Sequence, residues 1–268
     1  MQIYQLFISI LCILIGGLTS LTSGAMVVSM LVAPETKSEN LFWVGRMTER
    51  TMALDSFLKI IFNRLNENVN YKGSKHPEYL ISLLKSLTHL TQTYPGFAEV
   101  EDNNDEIFDN PLIEIQDLIG DVKKNGSVTY NIQILLNTIN QVSEKWNHDT
   151  RRIINLLEDS LEYLKRANSI TTNKLSHSLD KLYIRLFSFY GNIYETLPRD
   201  NGFYLFEAGK NIERILSLIS VLRSSFSIKN TEDIEAVLME AVLENHHLLA
   251  QYRYTYKSHL SLVTVLNL

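Results

Sequence analysis

Two short segments of the sequence carry the same pattern of charged residues behind a glycine. The order is glycine, a base, two variable residues, glutamate and arginine, and its members are Gly45, Arg46, Glu49 and Arg50 in the first segment and Gly209, Lys210, Glu213 and Arg214 in the second. On an α-helix, residues three and four positions apart lie on one face, so the charged side chains of each segment share a side. Guanidinium and ammonium groups donate hydrogen bonds to carboxylates and other anions. The pattern therefore predicts an ion network or an anion-binding site.

The two glycines indicate how the segments are positioned. A glycine inside a helix costs about 0.5–1 kcal/mol relative to alanine, and this cost is explained if a second backbone passes close to it. We therefore expect two helices that cross near Gly45 and Gly209. Each glutamate would then meet an arginine of the other segment, and the expected pairs are Glu49 with Arg214 and Glu213 with Arg50.

Three hypotheses cover the chemistry of this charged set. In the first, the charges form a buried network that fixes the register of the two helices, because a hydrogen-bonded set is tolerated inside a protein where a single charge is not. In the second, the bases bind an anion or a carboxylate, and the donors are Arg46, Arg50, Lys210 and Arg214. In the third, Glu49 and Glu213 act as a catalytic acid and base.

A second cluster of aromatic and basic residues lies near the end of the sequence. Tyr252 and Tyr256 are four positions apart and flank Arg253. An amphipathic helix that packs its tyrosine rings on the protein, with the hydroxyl groups outward, explains this cluster. In the functional alternative, Arg253 joins Glu49 and Glu213 in a central cleft and forms an active site.

Other kinds of chemistry leave no signal in the sequence. The seven histidines show no spacing typical of a zinc site, and the single cysteine, Cys12, excludes a disulfide scaffold. No phosphate-binding glycine loop or nucleophile motif is present. The net charge of −5 argues against nucleic acid as a partner. We therefore predict no metal, no cofactor held by this chain and no complete active site of its own.

Residues 37–268 have the apolar spacing of helices. Only five prolines and eleven glycines interrupt the chain, which favours helices over a turn-rich β fold. We predict an all-α domain, a bundle of about seven helices joined by short turns. Two of them are long and cover 128–166, with a kink near Asn147, and 232–267. The first helix carries an apolar stripe with spacings of three, four or seven, and its members are Leu41, Val44, Met47, Leu54, Leu58, Ile61 and Leu65.

The first 36 residues are a different kind of sequence, because no charged residue occurs before Glu35. They contain two apolar runs, Leu6–Ile15 and Ala25–Val32. One interpretation is a secretory signal. A second is a membrane anchor within residues 1–34, although a spanning helix needs about 20 apolar residues. The third is a pair of buried β-strands around a turn.

Several blocks along residues 38–268 resemble one known family. The blocks are Ser38–Arg50, Gly126–Ser127, Ser143–Trp146, the second glutamate–arginine region from Phe189 to Arg214, and Tyr252–Tyr256. In this order they resemble the bacterial alpha-E domain family, a helical domain named for its Glu-Arg motif. Lys210 stands where that family has arginine. The resemblance implies a helical domain over most of the chain.

The apolar N-terminal segment resembles part of a second family. In many bacteria the alpha-E domain follows, or is encoded beside, a circularly permuted ATP-grasp ligase-like domain. Gly16–Thr19 and Val27–Met30 resemble the last strands of that domain. The resemblance implies that residues 1–36 are a β-strand remnant of it. It further implies that an ATP-grasp domain or protein is the partner, that ATP binds only there, and that the chain is cytoplasmic.

These observations lead to one functional hypothesis and two alternatives. The first is a helical accessory domain of an ATP-grasp ligase-type system, which the resemblance links to the formation of peptide or amide bonds. The second is an enzyme with a Glu/Arg active site in the bundle. The third is an exported or membrane-anchored helical protein that binds other proteins.

Overall fold

The computed structural model describes residues 36–68, 77–98, 106–226, 230–257 and 260–268. Within these ranges all regular secondary structure is helical, and no strand occurs. This confirms the all-α prediction for the described residues. The α-helices are α1 Thr36–Asn68, α2 Glu78–Thr91, α3 Glu106–Asp109, α4 Pro111–Gly120, α5 Val128–Asn140, α6 His148–Leu164, α7 Thr172–Thr196, α8 Asn201–Phe226, α9 Glu232–Asn245, α10 Leu249–Tyr256 and α11 Leu262–Leu266.

The described ranges hold eleven α-helices rather than about seven. One reason is that the predicted helix over 128–166 is divided into α5 and α6 by a short 3₁₀ turn. The turn is fixed by Trp146, whose indole Nε1 donates to the carbonyl of Ile139 at 2.8 Å. The side chain of Asn147 then accepts from the backbone N–H of Thr150 and caps α6.

The predicted helix over 232–267 is also divided, into α9, α10 and α11. The breaks lie at His247 and Lys257, which adopt positive φ angles of 58° and 64°. Side-chain-bearing residues rarely adopt this conformation, and it cannot continue a right-handed helix. Apolar spacing continues across both breaks, which explains why the sequence predicted a single element.

Helix α1 lies at the centre of the described structure. It contacts α2, α5, α7, α8 and α9, and its interface with α8 is the most extensive. The predicted stripe from Leu41 to Leu65 is buried throughout, as expected. Further residues outside the stripe are also buried, because neighbours cover α1 on several sides; they are Ala53, Phe57, Ile60 and Phe62.

The described helices include none that combines the length and the apolar character needed to span a membrane. The segment 1–34 and its three interpretations lie outside the described residues.

Candidate functional site

Helices α1 and α8 cross at the two glycines of the repeated pattern. A Cβ atom on Gly45 would lie 2.1 Å from the carbonyl oxygen of Phe206, and one on Gly209 would lie 2.1 Å from the carbonyl oxygen of Phe42. Such distances are far inside van der Waals contact, so no other residue type fits at either position without a backbone shift. The reciprocal contact brings the two Glu-Arg pairs next to each other.

Glu213 of α8 accepts hydrogen bonds from two arginines of α1. Arg46 donates to its Oε2 through Nε at 2.8 Å and through Nη2 at 2.6 Å. Arg50 donates to its Oε1 through Nε at 2.6 Å. The side chain of Glu213 is 7% exposed, whereas those of Arg46 and Arg50 are 18% and 42% exposed. A buried carboxylate is thus held by two cations that reach solvent.

Glu49 of α1 forms the converse pair with Arg214 of α8. Arg214 donates through Nε to Oε1 at 2.6 Å and through Nη2 to Oε2 at 3.3 Å, in a bidentate arrangement. The structure therefore brings together both pairs expected from the sequence. It adds Arg46 as a second donor to Glu213, which the sequence did not pair.

A cleft of about 600 Å³ opens beside Glu213. Its walls come from α1, the end of α2, the start of α5 and α8. Among the described residues, Arg46, Arg50 and Glu213 are the charged side chains that line it. Apolar side chains supply part of the wall, and they are Ala53, Leu54, Leu90 and Leu216. The volume lies within the range of about 300–1,000 Å³ that is typical of small-molecule sites.

Gly126 determines how the cleft closes at its far side. Its φ is +88°, and a Cβ there would lie 2.2 Å from the carbonyl oxygen of Thr91 at the end of α2. The next residue, Ser127, caps α5 by accepting from the backbone N–H of Tyr130 at 3.0 Å. Gly126 thus forms the turn that precedes α5, and Ser127 is the cap of that helix. The structure shows that the turn also places the start of α5 against α2.

Sequence reasoning missed two residues of the cleft, Asn131 and Ser217. Both are almost fully buried, and Asn131 Oδ1 and Ser217 Oγ have no hydrogen-bond partner among the described residues. A signal was present, because Asn131 interrupts the apolar face of α5 and Ser217 follows Glu213 by one turn on the buried face of α8. Buried polar groups are normally hydrogen-bonded, so an exception needs an explanation.

Glu49 and Arg214 border a second and much smaller cavity of about 20 Å³, further lined by His246 and His247. Burial, together with Arg214 and His247, lowers the pKa of His246 to about 4. Burial and Arg214 also lower the pKa of His247, whose Nε2 lies within hydrogen-bond distance of the Tyr183 hydroxyl. This side of the crossing is closed and favours uncharged imidazole rings.

Lys210 lies apart from the cleft. Its ammonium group is 3.6 Å from the ring centroid of Tyr190 and 4.0 Å from a carboxylate oxygen of Glu207. Burial lowers the pKa of Lys210, and burial with the Glu207 carboxylate raises the pKa of Tyr190 to about 12. The predicted donor set of four bases is therefore divided: two arginines line the cleft, Arg214 faces the small cavity, and Lys210 packs on an aromatic ring.

The tyrosine cluster of α10 also lies apart. Arg253 donates to Glu240 at 2.6 Å rather than to Glu49 or Glu213, so the predicted three-residue active site is not assembled. Tyr252 is fully buried, and its hydroxyl is hydrogen-bonded to Thr264, which corrects the expectation of an outward hydroxyl. The ring of Tyr256 lies 5.2 Å from that of Tyr252. The cluster fixes α11 against α10.

One further buried acid, Asp55, lies on α1. Both of its carboxylate oxygens are buried without a hydrogen-bond partner among the described residues. Burial raises its pKa well above the ordinary value, against the opposing effect of Lys59. In the described part of the chain, no three His, Cys, Asp or Glu side chains are grouped as metal ligands.

These features define a class of protein: an all-helical domain built around a crossing that pairs two Glu-Arg dipeptides. The chain belongs to the Alpha-E family, described as a predicted alpha-helical domain with a conserved ER motif, and the match covers residues 37–268.

The curated relatives that this chain matches are longer than the chain itself. It is 23% identical over 213 residues to uncharacterized proteins of Mycobacterium bovis and Mycobacterium tuberculosis, an alignment that covers 76% of this chain and 24% of each relative. The chain thus spans about a quarter of the length of the curated relatives it matches. No solved structure matches it.

Proposed function

We propose that this chain is a helical accessory domain of an ATP-grasp ligase-type system that forms peptide or amide bonds. In this proposal the domain lacks a complete active site of its own, and its contribution is the cleft beside Glu213, which binds a carboxylate. ATP binds to the associated ATP-grasp domain, which is the partner.

The observation that carries the proposal is the state of the two arginines of the cleft. A guanidinium group has five N–H donors. Arg50 uses only its Nε on Glu213, and Arg46 uses Nε and one Nη, so most of their donors remain for a ligand. Glu213 holds both guanidinium groups in fixed positions, and such preorganised donors suit a carboxylate.

Two facts support the accessory role. The relatives continue well beyond the matched quarter of their length, so the helical domain is one part of a larger protein there. The cleft itself offers two arginines, the Glu213 carboxylate that holds them, and apolar walls. These groups can bind a ligand without catalysing a reaction. The link to ATP-grasp chemistry rests on the resemblance of the N-terminal segment and of the helical blocks.

The carboxylate site is tested with 4-methylpentanoate, an apolar chain that ends in one carboxylate. Titration of the full chain, followed by NMR chemical shifts, should show saturable binding that Arg50→Gln weakens about tenfold or more. The matched control is Arg152→Gln on α6, because that side chain is 73% exposed and lies outside the cleft. Absence of binding, or equal affinity in both variants, would contradict the site.

The partner is tested separately by affinity purification of the tagged chain from its native cells. Recovery of an ATP-grasp protein in stoichiometric amount is expected. Recovery of the chain alone would contradict the accessory role and leave the carboxylate site to be judged on its own titration.

A further inference from the structure

The charged lining of the cleft limits the ligand. Among the described residues, two cations and one anion line it, namely Arg46, Arg50 and Glu213. Two guanidinium groups around the one carboxylate of Glu213 leave donors for one further carboxylate. A polyphosphate would bring several negative charges and leave most of them unpaired, which is costly in a partly buried site.

Two buried oxygen atoms of residues that line the cleft, Asn131 Oδ1 and Ser217 Oγ, have no hydrogen-bond partner among the described residues. The Asn131 amide nitrogen donates to the carbonyl of Gly126 at 3.4 Å, which orients the amide and leaves Oδ1 as an acceptor without a partner. Ser217 Oγ is in the same state, and both residues line the cleft. Leaving a buried polar atom without a hydrogen bond is destabilising. A ligand N–H group would remove that destabilisation at both positions.

The position of Ser217 indicates that the donor is cationic. Ser217 follows Glu213 by one helical turn on the same face of α8, so it lies near the anion of the cleft. The same carboxylate holds the two arginines. A cation-binding position beside Ser217 and the two arginine donors thus both lie around Glu213, and an α-amino acid carries an ammonium and a carboxylate group.

We propose that the cleft binds a free α-amino acid with an apolar side chain. The α-carboxylate contacts Arg46 and Arg50, the α-ammonium group donates to Asn131 Oδ1 and Ser217 Oγ, and the side chain packs on the leucines of the wall. The inference rests on the proposed carboxylate site and adds the second charge and the side-chain class of the ligand.

The test compares L-leucine with two relatives that each lack one charge, N-acetyl-L-leucine and L-leucinamide. L-Leucine should bind the full chain more tightly than 4-methylpentanoate, which shares its carbon skeleton and carboxylate but lacks the ammonium group. Removal of either charge should weaken binding about tenfold, because each leaves polar groups of the cleft unpaired.

Ser217→Ala separates a ligand-binding role from a structural one. Its hydroxyl has no partner among the described residues, and alanine is the better helix former, so the melting temperature should stay equal or rise. The affinity for L-leucine should fall about fivefold, whereas that for 4-methylpentanoate should not change. The matched control is Ser188→Ala, since that serine is exposed on α7 and bonds only within its helix.

The two proposals fail in different ways. If neither 4-methylpentanoate nor L-leucine binds, the carboxylate site is wrong and the amino-acid inference falls with it. If 4-methylpentanoate binds as tightly as L-leucine, and Ser217→Ala affects neither, the carboxylate site stands and the amino-acid inference is overturned. Water molecules would then be the partners of Asn131 and Ser217.

Discussion

The two sides of the α1–α8 crossing use the same dipeptide in opposite ways. On one side, Glu213 holds two arginines at the edge of a cleft of about 600 Å³. On the other, Glu49 holds Arg214 in a bidentate pair beside a cavity of about 20 Å³, large enough for little more than one water. Both glutamate residues are equally buried, at 5% exposure.

The difference teaches that the dipeptide itself does not decide the role. The surroundings decide it. The Glu213 side has more cationic groups than carboxylates and open space in front of them, so an external anion can enter. The Glu49 side has one cation for one carboxylate, and neighbouring histidines whose pKa values are lowered, so its charges are already balanced. We therefore expect the first side to bind and the second to stabilise.

The largest loss of stability is expected at Gly45 and Gly209, because both sides of the crossing depend on the close approach of α1 and α8 there. Gly45→Ala would place a Cβ 2.1 Å from a backbone carbonyl, and backbone can only move away by separating the helices. Overpacking costs typically about 1–3 kcal/mol and occasionally more, and we expect about 3 kcal/mol or more here, measured by urea unfolding. Gly209→Ala should match it.

The control is Gly191→Ala in α7. Apart from the adjoining residues of α7 itself, no described atom lies within 4 Å of a Cβ at that position. The substitution should stabilise the protein by about 0.5–1 kcal/mol, the usual gain in a helix interior. If all three variants unfold at the same urea concentration, the close crossing of α1 and α8 is wrong.

The next effect separates the two sides directly. Glu49→Ala leaves Arg214 without its carboxylate partner beside a closed cavity and should destabilise the protein by about 2–3 kcal/mol. This is less than the roughly 3–5 kcal/mol of fully buried pairs, because Arg214 is half exposed. Glu213→Ala leaves its arginines in an open cleft, where water and ions replace the carboxylate, and should cost about 1–2 kcal/mol. The measurement is the free energy of unfolding.

Added formate sharpens this comparison. It should raise the melting temperature of Glu213→Ala above the rise seen for the wild type, because the anion can take the empty position between Arg46 and Arg50. The rise for Glu49→Ala should be smaller, because apart from the volume of the deleted side chain the cavity there holds only about 20 Å³. An equal rise for both variants, or none for either, would remove the distinction between the sides.

The sequence predicted the crossing because its cause is local and repeated. A glycine in a helix interior is unfavourable unless something approaches it, and two such glycines followed by complementary charges specify each other. The stripe from Leu41 to Leu65 was predicted for a similar reason, since burial of one helix face follows from its spacing. Both arguments need only the residues of one or two helices.

The rest depends on several elements at once and could not be predicted in this way. The cleft forms where the end of α2, the turn at Gly126 and the helices α1 and α8 meet. Residue spacing within one segment does not indicate that these elements lie close together. Lys210 shares the helix face of Glu213, yet an aromatic ring from α7 attracts it elsewhere. The breaks at His247 and Lys257 depend on positive φ angles that neither residue type indicates.

The smallest effect concerns the closed side and its response to pH. Because burial lowers the pKa of His246 from 6.5 to about 4, the unfolded chain binds more protons than the folded one between these values. This contribution to stability is complete above about pH 6.5 and is lost as the pH falls toward 4. Between pH 7.5 and 5.5 the loss should be about 1 kcal/mol.

Two histidine variants test this pH dependence. His246→Gln should remove that part of it. His148→Gln should retain it, because the side chain of His148 is 88% exposed and meets water in both states. An unchanged slope in His246→Gln would show that the closed side admits solvent and is no more protected than the cleft.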